Sequence, residues 1–309
     1  MKGRLCLAFF ALLLAACGRQ DYVTVSGYAQ GGVYSVKYNP KGVTASREEV
    51  AAAVEGILDA VDTTLSGYNK KSLLSRRNAG VPVELNAMFL DIERISEEYR
   101  VLTGGAFDVA AGPLFDAWGF GFTRDSLPSE EVIAAARERC ARREVLNFNA
   151  IAQGYTCDLV ADYLRSVGAV DMLVDIGEIY CNGLNPSGKP WTIGIDTPED
   201  GNNTPGASLA GIWTSDGGAH GVVTSGNYRK FYVVDGHKYA HTIDPRTGRP
   251  VEHGLLSATV VASTATEADA LATYFMVVGP SEARSFVESH PGIEACLISD
   301  DGTWKSAGF

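Results

Sequence analysis

The sequence predicts an α+β fold, and three observations carry that expectation. Runs rich in Val, Ile, Thr and Tyr recur at 23–28, 33–38, 172–176, 191–195, 239–243 and 256–262, as strands require. Stretches with apolar residues at three- and four-residue spacing also recur, and several open on a capping residue. The two kinds of segment do not keep the strict strand–helix–strand rhythm of a parallel sheet, which leaves mixed sheets packed with helices. With 309 residues, 46% of them hydrophobic, the chain suffices for two intimately associated lobes forming one unit. No internal repeat or low-complexity tract interrupts it.

The elements follow in order. The runs 23–28 and 33–38 flank Gln30-Gly31-Gly32 and read as a hairpin. Ser46 with Glu49 three residues on is a capping box, and Val50, Val54, Ile57, Val61 and Leu65 follow at helical spacing to Ser66-Gly67. A second helix starts near Asn86, carries Ile92, Ile95, Tyr99 and Leu102, and stops at Gly104-Gly105. Residues 129–143 form a charged helix with an exposed look. The stretch N-F-N-A-I-A-Q-G at 147–154 opens a helix with Tyr155, Leu159, Tyr163, Leu164 and Val167 on its apolar face. Strands at 172–176 and 191–195 precede a loop at 200–206, rich in Asn, Gly and Pro. Asp235-Gly236 reads as a hairpin turn. After the β-rich run 256–262, Thr264 and Glu267 form a second possible capping box. A helix from about Ser281 and a hairpin at Asp301-Gly302 close the chain.

The first sixteen residues stand apart. Lys2 and Arg4 are basic, residues 5–14 are apolar, and Ala15-Ala16 are small. That is a signal peptide, too short to be a membrane-spanning helix. The junction Leu14-Ala15-Ala16-Cys17-Gly18 resembles the lipobox of bacterial lipoproteins, which implies that Cys17 becomes a lipidated N-terminus and residues 17–22 a short tether. Lipid at Cys17 implies a bacterial cell envelope location, anchored to a membrane on its periplasmic or exported face. Loss of Lys2 and Arg4 takes the formal charge from −11 to −13. So acidic a chain lacks the clustered Lys and Arg that nucleic acid demands. Cys140, Cys157, Cys181 and Cys296 form no C-x-x-C pair, which argues against structural zinc, and their spacings leave disulfides open.

Two stretches carry chemistry. Y-A-H-T-I-D-P-R-T-G at Tyr239–Gly248 reads as a strand stopped by Asp244-Pro245. His241 thus stands at a rim, as a satisfied strand histidine or as a group that reaches a ligand. In A-T-E-A-D-A-L-A-T-Y-F, Asp269 and Thr273 lie four apart and share a helix face. An acid near a helix N-terminus is favoured by the dipole, and an acid–hydroxyl pair also suits a hard cation such as Mg²⁺. At Gly104-Gly105-Ala106-Phe107-Asp108 the paired glycines would let a ligand approach backbone N–H groups, with Asp108 as acceptor, or would simply end a helix. The W-G-F-G run at 118–121 follows closely.

Taken together, these pieces resemble the FAD:protein FMN transferase family, once called thiamine-biosynthesis lipoproteins. The matches run in the family's order: S-G-Y-N at Ser66–Asn69, T-G-G-A-F-D at Thr103–Asp108, I-A-Q-G-Y at Ile151–Tyr155, T-S-G-N-Y at Thr224–Tyr228, the Tyr239–Gly248 stretch, and A-D-A-L-A-T at Ala268–Thr273. The resemblance implies that residues 23–309 are one catalytic domain that moves the FMN half of FAD onto a Thr or Ser hydroxyl and releases AMP. It implies Mg²⁺ held by Asp269, Thr273 and the carbonyl of Ala150, with His241 as the base. It implies FAD contacts at Tyr68, Ala106, Phe107, Asp108, Gln153, His241 and Ile243. It implies acceptor subunits of membrane electron-transfer complexes as partners.

The chain departs from the family at three places. Gln30-Gly31-Gly32 stands where the family often has M-G-T, Gln153 replaces a lysine, and Ile176-Gly177-Glu178 is one glycine short. The missing glycine moves Glu178 by one position, toward the other strand face, so Glu178 is not counted as a contact. Two competing activities remain: an FAD pyrophosphatase giving FMN and AMP, and a non-catalytic flavin-binding lipoprotein. Tyr68 favours transfer over hydrolysis, and His241 beside Asp269 speaks against mere binding.

Overall fold

The computed structural model describes residues 21–120, 127–199, 202, 204, 206–228, 231–234 and 237–309. The signal peptide, Cys17, Gly121, Arg229, Asp235-Gly236 and most of the 200–206 loop lie outside the described residues. Strands β1 (Val23–Ala29) and β2 (Gly32–Tyr38) form the expected hairpin. Gln30 and Gly31 turn it with φ of 51° and 83°, the positive pair that a two-residue turn of matching twist needs. Helix α1 (Arg47–Leu65) starts on a complete Ser46–Glu49 capping box. The short helix α2 (Leu73–Asn78) adds to the expected elements, and α3 (Ala87–Leu102) is capped by Asn86.

A 3-10 turn at Val109–Ala111 leads into α4 (Gly112–Ala117), then α5 (Glu130–Ala141) and α6 (Ala152–Ser166). Strands β3 (Met172–Asp175), β4 (Ile179–Asn182), β5 (Thr192–Asp196), β6 (Leu209–Thr214) and β7 (His220–Gly226) follow. Next come β8 (Phe231–Val234), β9 (His237–Ala240), β10 (Ile243–Asp244), β11 (Arg249–Pro250) and β12 (Leu255–Ala262). Helices α7 (Ala265–Val278) and α8 (Pro280–Ser289) precede the closing hairpin β13 (Glu294–Ser299) and β14 (Gly302–Lys305).

The main sheet has eight strands in the order β1-β2-β3-β4-β7-β12-β13-β14, and each neighbour pairing is antiparallel. The α+β class is therefore as expected. Three two-stranded ribbons, β5-β6, β8-β9 and β10-β11, complete the strands among the described residues.

The core falls into two principal clusters. In one, Val36 and Tyr38 of the hairpin meet Val50 and Val54 of α1 and Val160 and Leu164 of α6. In the other, Phe89 and Ile92 of α3 meet Val260 of β12, Leu297 of β13 and Phe275 of α7. Helices α6 and α7 contribute to both: Tyr155 and Ala268 to the second, Cys157 and Ala265 to the first. Two cores thus share one helix pair, which carries Gln153 on α6 and Asp269 and Thr273 on α7.

Several local expectations change. The run 239–243 is not one strand: the chain leaves β9 at Ala240, bends at His241, and resumes pairing at Ile243. Helix α5 is not a purely solvated helix, since Ile133, Ala136 and Cys140 pack with Leu114, Trp118 and Ile243 in a third cluster. Leu159 and Tyr163 only flank the buried face of α6, which includes Tyr155, Cys157, Val160, Ala161 and Leu164. The second capping box forms by half: Thr264 accepts from the Glu267 N–H, while the Glu267 carboxylate turns to the Ser263 hydroxyl. Cys140, Cys157, Cys181 and Cys296 are all free and buried. Among the described residues, no helix is long and apolar enough to cross a membrane.

The packing sets a measurable order of costs. Phe89 is fully buried and meets Phe148 edge-on at 5.5 Å. Phe89→Ala should cost about 3–5 kcal/mol, whereas Ser46→Ala, which removes half a capping box, should cost about 1 kcal/mol. Denaturant unfolding of both variants checks the ranking.

Candidate active site at the crossing of two helices

The loop that opens α6 gives it no cap of its own. Ile151 is the N-cap residue and has no side chain that can accept a hydrogen bond, so the N–H groups of the first turn need partners elsewhere. The Gly154 N–H donates to Oδ2 of Asp269 at 3.0 Å. A side chain at position 154 would not fit: a Cβ would stand 2.3 Å from the Ala265 carbonyl oxygen and 2.8 Å from the Asp269 Cβ. The I-A-Q-G glycine is therefore demanded by close helix packing.

Asp269 is 4% exposed. Burial pushes its carboxyl up to about 7; the Gly154 N–H opposes the shift and the negative charge of Asp158 reinforces it. Among the described residues Oδ1 accepts no hydrogen bond. Thr273 lies one turn further along α7, half-buried, on the same face. Ala150 lies two residues before α6 and is partly buried against the core. Among the described residues no three His, Cys, Asp or Glu side chains cluster to hold a metal. The oxygen donors that α7 itself carries here are the Asp269 carboxylate and the Thr273 hydroxyl. Hard oxygen donors of this kind fit Mg²⁺, which takes few protein ligands and shares the rest with phosphate and water. A cation would also hold ionised a carboxylate that burial disfavours.

Tyr68 follows the end of α1 and is 65% exposed. The Asn149 amide donates to its hydroxyl at 3.4 Å, which brings the ring to the loop carrying Ala150. Gln153 donates from Nε2 to the Ile176 carbonyl at 3.1 Å and lies against Gly177. Gln30, from the β1–β2 turn, donates to the Thr156 hydroxyl at 2.8 Å. The Glu178 carbonyl accepts from the Cys157 thiol. The three departures from the family pattern thus meet at one place, on the first turns of α6.

The T-G-G-A-F-D stretch behaves differently from the reading in which its N–H groups await a ligand. The Gly104 and Gly105 N–H groups close the end of α3 on Val101 and Arg100, and those of Ala106 and Phe107 go to Thr103. The Ala106 and Phe107 side chains are buried in the core. Asp108 accepts from the Ala110 N–H at 2.9 Å and pairs with Arg143 at 3.2 Å. A ligand here would meet carbonyls and the Asp108 carboxylate, not free amides.

His241 stands at the bend between β9 and β10, and β10 packs on α7. Its ring meets Phe120 edge-on at 6.4 Å. Behind it, Trp118 stacks on Tyr239, Tyr239 on Tyr232, and Phe120 lies tilted on Tyr232. Trp118 Nε1 donates to the Gly248 carbonyl and the Tyr232 hydroxyl to the Trp118 carbonyl. The D-P-R-T-G turn is fixed by Asp244, which accepts from the N–H and guanidinium of Arg246. Gly248, at φ 76°, takes a backbone conformation that favours glycine and would bring a Cβ to 3.0 Å from side-chain carbons of Ile133 and Arg137 of α5. Ile243 is 2% exposed in the third cluster, so its side chain anchors the bend. The aromatic stack is absent from the sequence-based expectations, because nothing local joins the W-G-F-G run to His241. So is Asp158, whose carboxylate accepts from the first N–H groups of α7.

Known proteins resemble the chain in sequence and in fold. The ApbE family matches residues 30–297. FAD:protein FMN transferase of Escherichia coli K12 is 34% identical over 298 residues, covering 87% of this chain and 83% of that protein. The Haemophilus influenzae protein of the same name is 33% identical, covering 97% and 94%. The apo crystal structure of Pseudomonas stutzeri flavinyl transferase ApbE superposes with a TM-score of 0.81 at 33% identity, covering 94% of this chain and 96% of that one. Flavin transferase ApbE from Vibrio cholerae gives 0.79 at 32% identity, covering 94% and 98%. With most of its length matched in sequence and in fold, the chain belongs to the ApbE family.

Proposed function

We propose that this chain is an FAD:protein FMN transferase that uses Mg²⁺ to move the FMN moiety of FAD onto a Thr or Ser hydroxyl of a target protein. The observation that carries the reading is Asp269, a buried carboxylate one helical turn from Thr273, with one oxygen bonded to the Gly154 N–H in the first turn of α6 and the other turned from protein donors among the described residues. Bound there with the diphosphate, Mg²⁺ would screen its charge and stabilise the departing phosphate. The acceptor oxygen attacks the phosphorus on the flavin side, the bond to the AMP phosphate oxygen breaks, and AMP leaves.

The protein's own residues prepare that step. His241 takes the hydroxyl proton, for which an imidazole has a suitable affinity near neutral pH. The aromatic stack behind it holds the ring at the bend. Tyr68 offers an exposed aromatic wall beside the Ala150 loop and shields the flavin-bearing phosphate from water. The Asp108 carboxylate and the Gln153 side chain frame the remainder of FAD. The acceptors are exported subunits of membrane electron-transfer complexes, and a lipid on Cys17 keeps the enzyme at the same membrane.

Incubating the mature chain with FAD, Mg²⁺ and a candidate acceptor, then reading flavin fluorescence on the acceptor in a denaturing gel, tests the activity; AMP with free FMN and an unlabelled acceptor would mark a hydrolase instead. Asp269→Ala should abolish labelling, and Thr273→Ala should cost less because a neutral hydroxyl is the weaker ligand. The metal-free protein should also show a pH signature. Asp269 is raised from the ordinary 3.8 to about 7 in the fold, so its stabilising proton is fully held below about pH 4 and lost as pH rises through about 7. Added Mg²⁺ should therefore raise the melting temperature more at pH 8 than at pH 5; an equal rise at both would count against Asp269 as ligand.

His241→Asn should keep FAD affinity while labelling falls roughly 10²–10⁴-fold. Equal losses of both with a lowered melting temperature would make His241 a structural residue. For the anchor, Cys17→Ser should yield an unprocessed precursor lacking acyl chains, read by mass spectrometry of the detergent extract; an acylated mutant would refute the assignment.

A further inference from the structure

Helices α6 and α7 cap each other's N-termini. Asp269 of α7 accepts from the Gly154 N–H in the first turn of α6. Asp158 of α6 accepts from the Ala265 N–H at 2.9 Å, from the Thr266 N–H at 2.8 Å and from the Thr266 hydroxyl. Gly154 and Asp158 are four apart on one helix, Ala265 and Asp269 four apart on the other. The two contacts are therefore successive turns of one seam. Between them the Gly154 backbone lies so close to Ala265 that no Cβ fits. The seam fixes both the slide and the rotation of α7 one turn before Asp269.

Helix α7's own cap, Thr264 Oγ1, accepts from the Glu267 N–H, and the two oxygens of Asp158 serve the Ala265 and Thr266 N–H groups that this cap leaves open. A second carboxylate at the same crossing repels Asp269, which a neutral Asn or Ser would not do. The repulsion is offset where a cation faces Asp269. Resting on the Mg²⁺ reading above, we infer that Asp158 is a positioning residue for that cation: by gripping the first turn of α7 through two backbone N–H groups and Thr266, it aims Asp269 and Thr273 without touching the metal.

The test is direct binding of Mn²⁺, followed by electron paramagnetic resonance, to the metal-free full-length chain in detergent. Asp158→Asn replaces one acceptor oxygen with an amide that faces backbone donors. It should weaken Mn²⁺ binding roughly 10–100-fold, as loss of a residue orienting a metal ligand does, in protein whose circular dichroism remains that of the wild type. Thr266→Val removes only the hydroxyl bond, serves if Asp158→Asn fails to fold, and should weaken binding by a smaller factor. Unchanged Mn²⁺ affinity in folded Asp158→Asn, or in Thr266→Val when that is the only folded variant, with Asp269→Asn unable to bind, would overturn the positioning role and leave a plain structural cap. Wild-type affinity in Asp269→Asn would instead remove the underlying metal assignment.

Discussion

The structure depends on how closely α6 and α7 approach. A helix pair in direct backbone contact needs a residue without a side chain at the crossing, and Gly154 supplies it. Everything on either side inherits that geometry. The hairpin and α1 pack on one flank of the pair, α3 and the β12–β13 strands on the other. The residue that carries the carboxylate at the crossing keeps only 4% of its surface exposed because both flanks are filled. Burial that is ordinarily a liability for Asp269 would become an advantage with a cation bound, because a carboxylate poorly served by solvent gains most from one.

A second principle governs the histidine. It is held by interruption of a strand, not by a strand. The bend takes the backbone of His241 and Thr242 out of the strand ladder, and the flanking residues restore rigidity. Thr242 donates to Asn227 and accepts from the Val251 N–H, Ile243 is locked in the third cluster, and Asp244 ties down the turn through Arg246. The D-P-R-T-G sequence thus stiffens a rim rather than contributing further reactive groups. Helix α5 takes part, since Arg137 donates to the Arg246 carbonyl.

Much of this architecture is legible locally. Ser46 and Glu49 announce α1, Asn86 announces α3, and Gln30-Gly31 announces a tight hairpin, because caps and turns are written within four residues. The four-residue spacing of Asp269 and Thr273 is enough by itself to set both on one helix face. What the local pattern does not carry is partnership at a distance. Asp158 and Ala265 are more than a hundred residues apart, and nothing in T-C-D-L-V signals a cap for another helix. The stack joining Trp118 to Tyr239 is equally non-local. The paired glycines after α3 are ambiguous for the opposite reason: the same residues end a helix and admit a ligand, and only the hydrogen bonds of Thr103 decide.

The four cysteines among the described residues carry a consequence of their own. All are buried and unpaired, and burial pushes the Cys140 thiol up to about 11, that of Cys181 to about 12, and those of Cys157 and Cys296 upward as well. A thiol that stays protonated and out of reach neither attacks a disulfide nor yields to an oxidant. Once folded, the chain therefore keeps these thiols shielded from oxidant and reductant alike. Nothing in its packed state hangs on a sulfur–sulfur bond among the described residues, so a change in the redox state of the medium leaves the finished fold as it is.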